Sequence, residues 1–239
     1  MLLRSSVVAF AAFAFGCSSS GGSSAPTDQG QQGPSGTSTQ TVDKNPYGAE
    51  YPTVNIGIDA RQGTRPGNLM RNFKFQGYKT PIGTAVNPNG KLEQVSLAEY
   101  FDPELRGAYK VLHITVSSVW CSPCNEETKE MVATANTVSG KGVLYFQALA
   151  DGPSVGTGAT IEDLDFWVKK HKVNFTQVLD PSLKNFGGFF DAAAVPFNAN
   201  IDLRSMEILS AGTGAPQDLE ADVMKWVSWV DKNPAQATK

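Results

Sequence analysis

The chain has 239 residues, with 20 Lys+Arg against 23 Asp+Glu and a formal net charge of -3. This slight acidic surplus argues against a nucleic-acid binder, which carries a basic surplus or a basic stripe. Hydrophobic residues at 41% are enough for a core but below the membrane class, and three cysteines exclude a four-thiolate zinc site within one chain.

Met1-Leu2-Leu3-Arg4 is a short positive start, and Val7 to Phe15 is an apolar run. The run is too short to cross a bilayer, which takes about 20 apolar residues, and it fits the apolar region of a secretory signal. It ends in Ala14-Phe15-Gly16-Cys17. This resembles a bacterial lipoprotein signal, in which a small residue precedes a cysteine that receives lipid and becomes the mature N-terminus. Ala14 stands where the usual pattern has Leu, and Phe15 is bulky; an ordinary signal peptide cut nearby is the competing reading. Residues 1–16 are thus expected to be the signal and Cys17 the lipidation site. Residues 17–46 are Ser, Gly, Gln, Thr and Pro with Val42 as the only large aliphatic. Such a stretch cannot bury enough surface to offset the entropy of ordering, so it reads as a flexible linker. The folded domain is expected over 47–231, with a polar tail at 232–239.

Residues 47–77 form a weakly patterned lead-in. Phe73-Lys74-Phe75 alternates like a short strand, and Val95 to Phe101 reads as a strand end running into a helical turn. Val111 to Val116 is β-branched and reads as a buried strand. Cys121 to Val138 reads as a helix, with Met131, Ala135 and Val138 on one face, stopped by Gly140-Lys141-Gly142. Val143 to Leu149 is the next strand, followed by a Gly-rich loop over 151–158. Ile161 to His171 is helical, Thr176 to Leu179 a short strand, and Leu183 to Phe190 a short helix or turn. Asn198–Leu203 and Glu207–Ala211 read as an antiparallel hairpin. Leu219, Val223, Trp226, Val227 and Val230 recur at helical spacing, which predicts an amphipathic closing helix with Trp226 in the core. Alternating strands and helices imply an α/β fold, a parallel sheet covered on both faces, made mixed by the final hairpin.

Trp120-Cys121-Ser122-Pro123-Cys124 sits where a buried strand turns into a helix. Two cysteines at this spacing can close a small disulfide ring. The first faces the unpaired N–H groups and the positive dipole end of the helix, which stabilise a thiolate. A thiolate is the species that attacks a disulfide. Cys121 is therefore the candidate nucleophile and Cys124 the resolving thiol, and Pro123 in the first turn gives up no needed N–H. Competing readings are a structural disulfide and a copper(I) site on two thiolates. A zinc knuckle would need a second ligand pair, which neither His113 nor His171 supplies.

Far downstream, Val195-Pro196-Phe197 enters a strand. Joined to the cysteine pair on a strand–helix turn, it gives a sequence that resembles the thioredoxin superfamily, and more closely the TlpA and ResA group of membrane-tethered thiol–disulfide oxidoreductases. The match runs over about 73–230. It includes Trp120 to Cys124, Glu127 as the group's acidic residue after the second cysteine, Val95-Ser96-Leu97, Val178-Leu179-Asp180, Val195-Pro196 and Asn200-Ile201-Asp202. The resemblance implies a thioredoxin-like fold with an N-terminal extension and a cis Pro196 beside the disulfide. It further implies that Val195 backbone pairs with a substrate peptide and that Trp120 shapes the substrate-facing surface.

Thr115 stands where thioredoxins carry a buried carboxylate and many TlpA-like chains carry Asn, and a hydroxyl cannot accept the proton of the resolving thiol. His113 on the same strand face is read as a core histidine bonded to backbone, its rival role being proton transfer. His171 is read as a solvated helix end. Glu126 and Glu127 are placed in the first helical turn, where they would raise the cysteine pKa.

The expected activity is dithiol–disulfide exchange by Cys121 and Cys124 with protein thiols and disulfides of the bacterial cell envelope, recycled by a redox partner. It uses no cofactor or metal, and membrane attachment is through lipid on Cys17. Ser18 is not the acidic residue of inner-membrane retention, so the periplasmic side of the outer membrane is favoured. The alternatives are a binding or copper(I)-handling module of the same fold, and a thiol peroxidase, for which Ser118 is only a partial match to the usual Thr.

Overall fold

The computed structural model describes residues 43–52, 63–189 and 194–233. The expected signal at 1–16, the lipidation site Cys17, the linker up to residue 42 and the tail from 234 lie outside the described residues.

The strands are β1 (Lys74–Tyr78), β2 (Glu93–Ser96), β3 (Val111–Ser118), β4 (Val143–Asp151), β5 (Thr176–Leu179), β6 (Phe197–Asp202) and β7 (Glu207–Thr213). The helices are α1 (Ser122–Ser139), α2 (Ile161–His171) and α3 (Leu219–Lys232), with 3₁₀ turns at Leu97–Tyr100 and Pro181–Leu183. One seven-stranded sheet has the order β2-β1-β5-β4-β3-β6-β7. β3, β4 and β5 are parallel, and the flanking pairs are antiparallel. All eight residues of β3 are buried, as befits the central strand of such a sheet.

Both faces of the sheet are covered, as expected, but by different means. α1, α2 and α3 all pack on one face, through Met131, Ala135, Leu164, Trp167, Val223 and Val227. For α1 and α2 the reason is topological. The chain steps from β3 to β4 to β5 in one direction, and each right-handed crossover then puts its helix on the same side. The other face is covered without a long helix, by Leu97 and Ala98 of the first 3₁₀ turn, by Met70, and by Phe73 and Phe186, which meet Phe75 edge-on and stacked, with Phe189 edge-on to both of them.

Helix ends follow local chemistry. Thr160 and Asp163 form a capping box on α2, Lys172 ends it in the left-handed region, and Asp218 caps α3. At the sheet's side, Gly77 of β1 lies so close to β5 that a Cβ would sit 2.4 Å from Gln177 O, so only glycine fits.

Asp43 to Pro46, assigned to the linker by composition, are fastened to the domain. Asn45 is buried, its Nδ2 donates to Phe101 O, and its Oδ1 accepts from the Tyr47 and Ala49 N–H groups. Asp43 pairs with Lys74 and accepts from Asn72. Polar side chains that turn a chain back on itself hold it without apolar burial, and composition does not register them. Among the described residues no helix is long and apolar enough to cross a membrane.

Candidate active site

β3 ends at Ser118, and Val119 and Trp120 carry the chain to α1. Cys121 is the N-cap residue, in extended conformation, and its Sγ receives the Cys124 N–H at 3.1 Å. Pro123 lies in the first turn, where a missing N–H costs no intrahelical bond. Cys121 and Cys124 are joined in a disulfide with Cα atoms 5.3 Å apart. The cap position normally taken by a Ser or Asp oxygen is thus occupied by sulfur. Once the bond is reduced, the same N–H and the helix dipole favour negative charge on Cys121.

β6 brings in the second element. It pairs antiparallel with β3, Thr115 opposite Asn198 and Val116 opposite Phe197. The residues just before β6 therefore reach the end of β3. Val195–Pro196 is cis, and Val195 O lies 3.5 Å from Cys121 Sγ. Val119, Trp120 and Val195 pack half-buried at the edge of the core beside the disulfide, and Cys121 is only 1% exposed. Trp120 Nε1 donates to Asp151 Oδ2 at 3.4 Å, and the Gly156 and Gly158 N–H groups donate to the same carboxylate. One side chain at the end of β4 therefore ties the Gly-rich loop to the tryptophan next to the cysteines.

Beneath the pair lies a buried polar layer. Glu127, one turn beyond Cys124 on α1, is 2% exposed. Its Oε2 accepts from Thr115 Oγ1 at 3.0 Å and its Oε1 from Asn198 Nδ2 at 2.7 Å. Burial pushes its carboxyl up to about 7, against the lowering effect of those two hydrogen bonds. Gln147 holds the neighbouring position: Nε2 donates to Ser117 Oγ and Thr128 Oγ1, and Oε1 accepts from Trp167 Nε1. Thr128 Oγ1 in turn donates to Cys124 O.

Several expectations are corrected here. α1 begins at Ser122, so Glu126 and Glu127 sit in its second turn and not its first. Glu126 is exposed and paired with Lys129, whereas Glu127 faces the core. His113 is buried but bonds a side chain, Asn200 Oδ1 at 2.9 Å, and not backbone. His171 is 7% exposed, packed against the Trp167 ring at 4.4 Å, with Nε2 3.0 Å from Asn125 Oδ1. Burial and then the Lys170 charge pull it down to about 4. Asn125 uses its Nδ2 to hold Cys121 O at 2.6 Å, so the end of α2 braces the cysteine turn. Trp226 is only partly buried. Among the described residues no three His, Cys, Asp or Glu side chains cluster as metal ligands.

No protein-family model matches the chain, and no curated protein matches it. Solved structures do. A candidate protein disulfide isomerase from Bacteroides thetaiotaomicron is similar at 17% identity and TM-score 0.51, over 71% of this chain and 92% of that one. A candidate thiol:disulfide interchange protein DsbE from Chlorobium tepidum is similar at 16% identity and TM-score 0.50, over 69% and 96%. The reduced 2-Cys peroxiredoxin of Plasmodium vivax is similar at 12% identity and TM-score 0.51, over 71% and 98%. The fold is thioredoxin-like.

Within the thioredoxin-like fold, Trp120, Cys121, Pro123 and Cys124 share one turn, and Val195 and Pro196 lie beside them at one end of the sheet, where the family resemblance implied they would. Asn198, Gln147 and Asp151 join them without having been singled out. Gln147 is a polar residue inside an otherwise apolar strand, a signal that could have marked it; Asn198 lies in a strand with two further polar residues and Asp151 at a strand end, so neither stands out by pattern. Glu127 was noted by position, but its burial against Thr115 was not legible.

Proposed function

We propose that this chain is a thiol–disulfide oxidoreductase acting on protein partners through Cys121 and Cys124. The observation that carries the reading is the N-capping sulfur of Cys121, which receives the Cys124 N–H beside the cis Val195–Pro196 bond. In the reducing direction the Cys121 thiolate attacks a partner disulfide, one partner sulfur leaves, and a mixed disulfide forms. Cys124 gives its proton to the Glu127 carboxylate and attacks Cys121 Sγ. The second partner thiol is released, and two electrons have passed from the pair to the partner. Running backwards, the same steps oxidise a dithiol. Thr115 does not accept the proton; it orients Glu127, which replaces the carboxylate missing from β3.

The edge formed by Val119, Trp120 and Val195 suits an extended apolar peptide, and the slight exposure of Cys121 means a partner must displace part of this edge. The 1–16 signal pattern and Cys17 support a lipid-anchored place in a bacterial envelope, on the periplasmic side of the outer membrane.

The test is reduction of a model protein disulfide with dithiothreitol as electron source. Wild type accelerates the reaction, Cys121→Ser abolishes it, and Cys124→Ser accumulates a mixed disulfide on Cys121 visible by mass spectrometry. A wild-type chain no faster than its Cys121→Ser variant would leave only a disulfide-bearing binding module.

A further inference from the structure

A line of buried polar side chains leads away from Glu127 across the sheet to α3. Asn198 Nδ2 donates to Glu127 Oε1 at 2.7 Å. Asn200, two residues on along β6, uses Nδ2 to donate to Asp222 Oδ2 of α3 and to Ser210 Oγ, both at 3.0 Å. A carboxylate at each end therefore fixes each amide: nitrogen toward the carboxylate, oxygen left as an acceptor. Between the two amides lies His113, fully buried on β3 opposite Asn200 and diagonal to Asn198.

The tautomer follows. Asn200 Oδ1 can only accept, so His113 Nδ1, 2.9 Å away, carries the hydrogen. In the neutral ring Nε2 is then a bare lone pair. His113 Nε2 and Asn198 Oδ1 are each buried with no hydrogen-bond partner; burial holds the ring below its ordinary histidine value, while Asn200, Asp222 and Asn198 favour its charged form. Two unpartnered acceptors become one hydrogen bond when Nε2 takes a proton. Burial opposes that charge, so it needs a counter-charge. The groups facing His113 are Tyr145 from β4 at 5.7 Å between rings, Asp222 from α3, and Glu127 of α1 reached through Asn198, with Glu130 bearing on Glu127. None of them is a cation.

We propose that His113 is a positioning residue for the redox centre: through Asn198 it sets the proton affinity of Glu127, and the two groups titrate as one coupled pair. The proposal rests on the exchange reading above for its use. When Glu127 is anionic, an Nε2–H imidazolium is favoured. When Cys124 gives its proton to Glu127, the S–H bond breaks, an O–H bond forms, and the imidazolium loses its counter-charge and releases its Nε2 proton to solvent. Glu127 gains one proton as His113 loses one, so this pair keeps its summed charge, and the one negative charge the step creates sits on the Cys124 sulfur and leaves with the partner's thiolate.

The experiment is NMR of the oxidised full chain labelled with ¹⁵N-histidine and ¹³C-glutamate, from about pH 5 to about pH 9, which spans the ordinary histidine value and the raised Glu127 value near 7. The expected result is that His113 Nε2 and Glu127 Cδ change over the same pH interval. In Glu127→Gln the His113 step moves or disappears. In His113→Gln the Glu127 midpoint rises, its proton affinity increasing about tenfold or more. A His113 ring with an invariant Nε2 signal across the range, or one indifferent to Glu127→Gln, overturns the proposal, and the wild-type titration alone gives that result if the His113 variant does not fold. No turnover is involved, so a coupled titration in a chain that fails to exchange disulfides would count against the functional reading and in favour of this one.

Discussion

Thr115 Oγ1 donates to Glu127 Oε2 across 3.0 Å, in a core from which water is excluded. This contact joins the strand that ends in the cysteine turn to the helix that begins there, and it supplies a buried carboxylate from α1 where β3 offers only a hydroxyl. The hydroxyl is a donor to the carboxylate, so it stabilises the ionised form that has to accept a proton.

Replacing Glu127 by Gln keeps the volume and leaves Asn198 and Thr115 bonded, but removes the base. The mixed disulfide is expected to resolve about 10²-fold more slowly, in the range of general-base effects, while attack by Cys121 on the partner changes little. Rapid acid quench with alkylation separates the two steps. Equal slowing of both would place Glu127 outside the resolving step.

Glu127 also bears on stability. Its folded carboxyl lies near 7 against an ordinary 4.5, so between those values the native state binds more protons than the unfolded one. Stability therefore falls as pH rises from about 4.5 to about 7 and stays lower above it. Glu127→Gln removes this slope and is more stable at pH 8 by up to about 3 kcal/mol. Urea unfolding of the oxidised protein at pH 5 and pH 8 checks the sign.

His171 contributes the opposite slope. Held near 4 in the fold against 6.5 free, it is neutral in the native state, and its contribution is full above about 6.5 and lost as pH falls toward 4. With partial solvent screening the loss is on the order of 1 to 2 kcal/mol. The Glu127→Gln background isolates it: unfolding there should show acid destabilisation that His171→Gln abolishes. A flat profile in both variants would contradict the buried placement against Trp167.

Asp151 ties Trp120 to the loop at 151–158. Asp151→Asn keeps one acceptor oxygen where the carboxylate has two, so it cannot serve all three donors equally. KM for a protein disulfide is expected to rise several-fold, with reduction of the pair by dithiothreitol unchanged. A fall in both rates would mean that Asp151 supports the cysteine turn itself.

Much of this site was legible because its chemistry is local. The cysteine spacing, the strand–helix turn and the Pro123 position all lie within a few residues, and the hydrophobic period bounded α1 and α2 to within a residue or two. What was not legible depends on tertiary placement. At second-turn spacing Glu127 could face solvent or core, and only the packing of β6 against β3 closes Asn198 over it. His171 follows two lysines, which suggests a solvated end, yet the ring turns inward onto Trp167 while Lys170 stays out. α1 and α2 share one sheet face because of the strand order, which periodicity does not encode. Asn45 sits in a polar stretch and is buried by hydrogen bonds alone.

The central claim is that Cys121 and Cys124 form an exchanging pair and not a structural staple. Equilibrating the protein in graded glutathione and dithiothreitol buffers, then counting free thiols by alkylation and mass spectrometry, tests it most directly. The account predicts a two-electron couple titrating between about -120 and about -270 mV, the range of exchange catalysts. A pair still oxidised below about -300 mV would behave as a structural disulfide and contradict it.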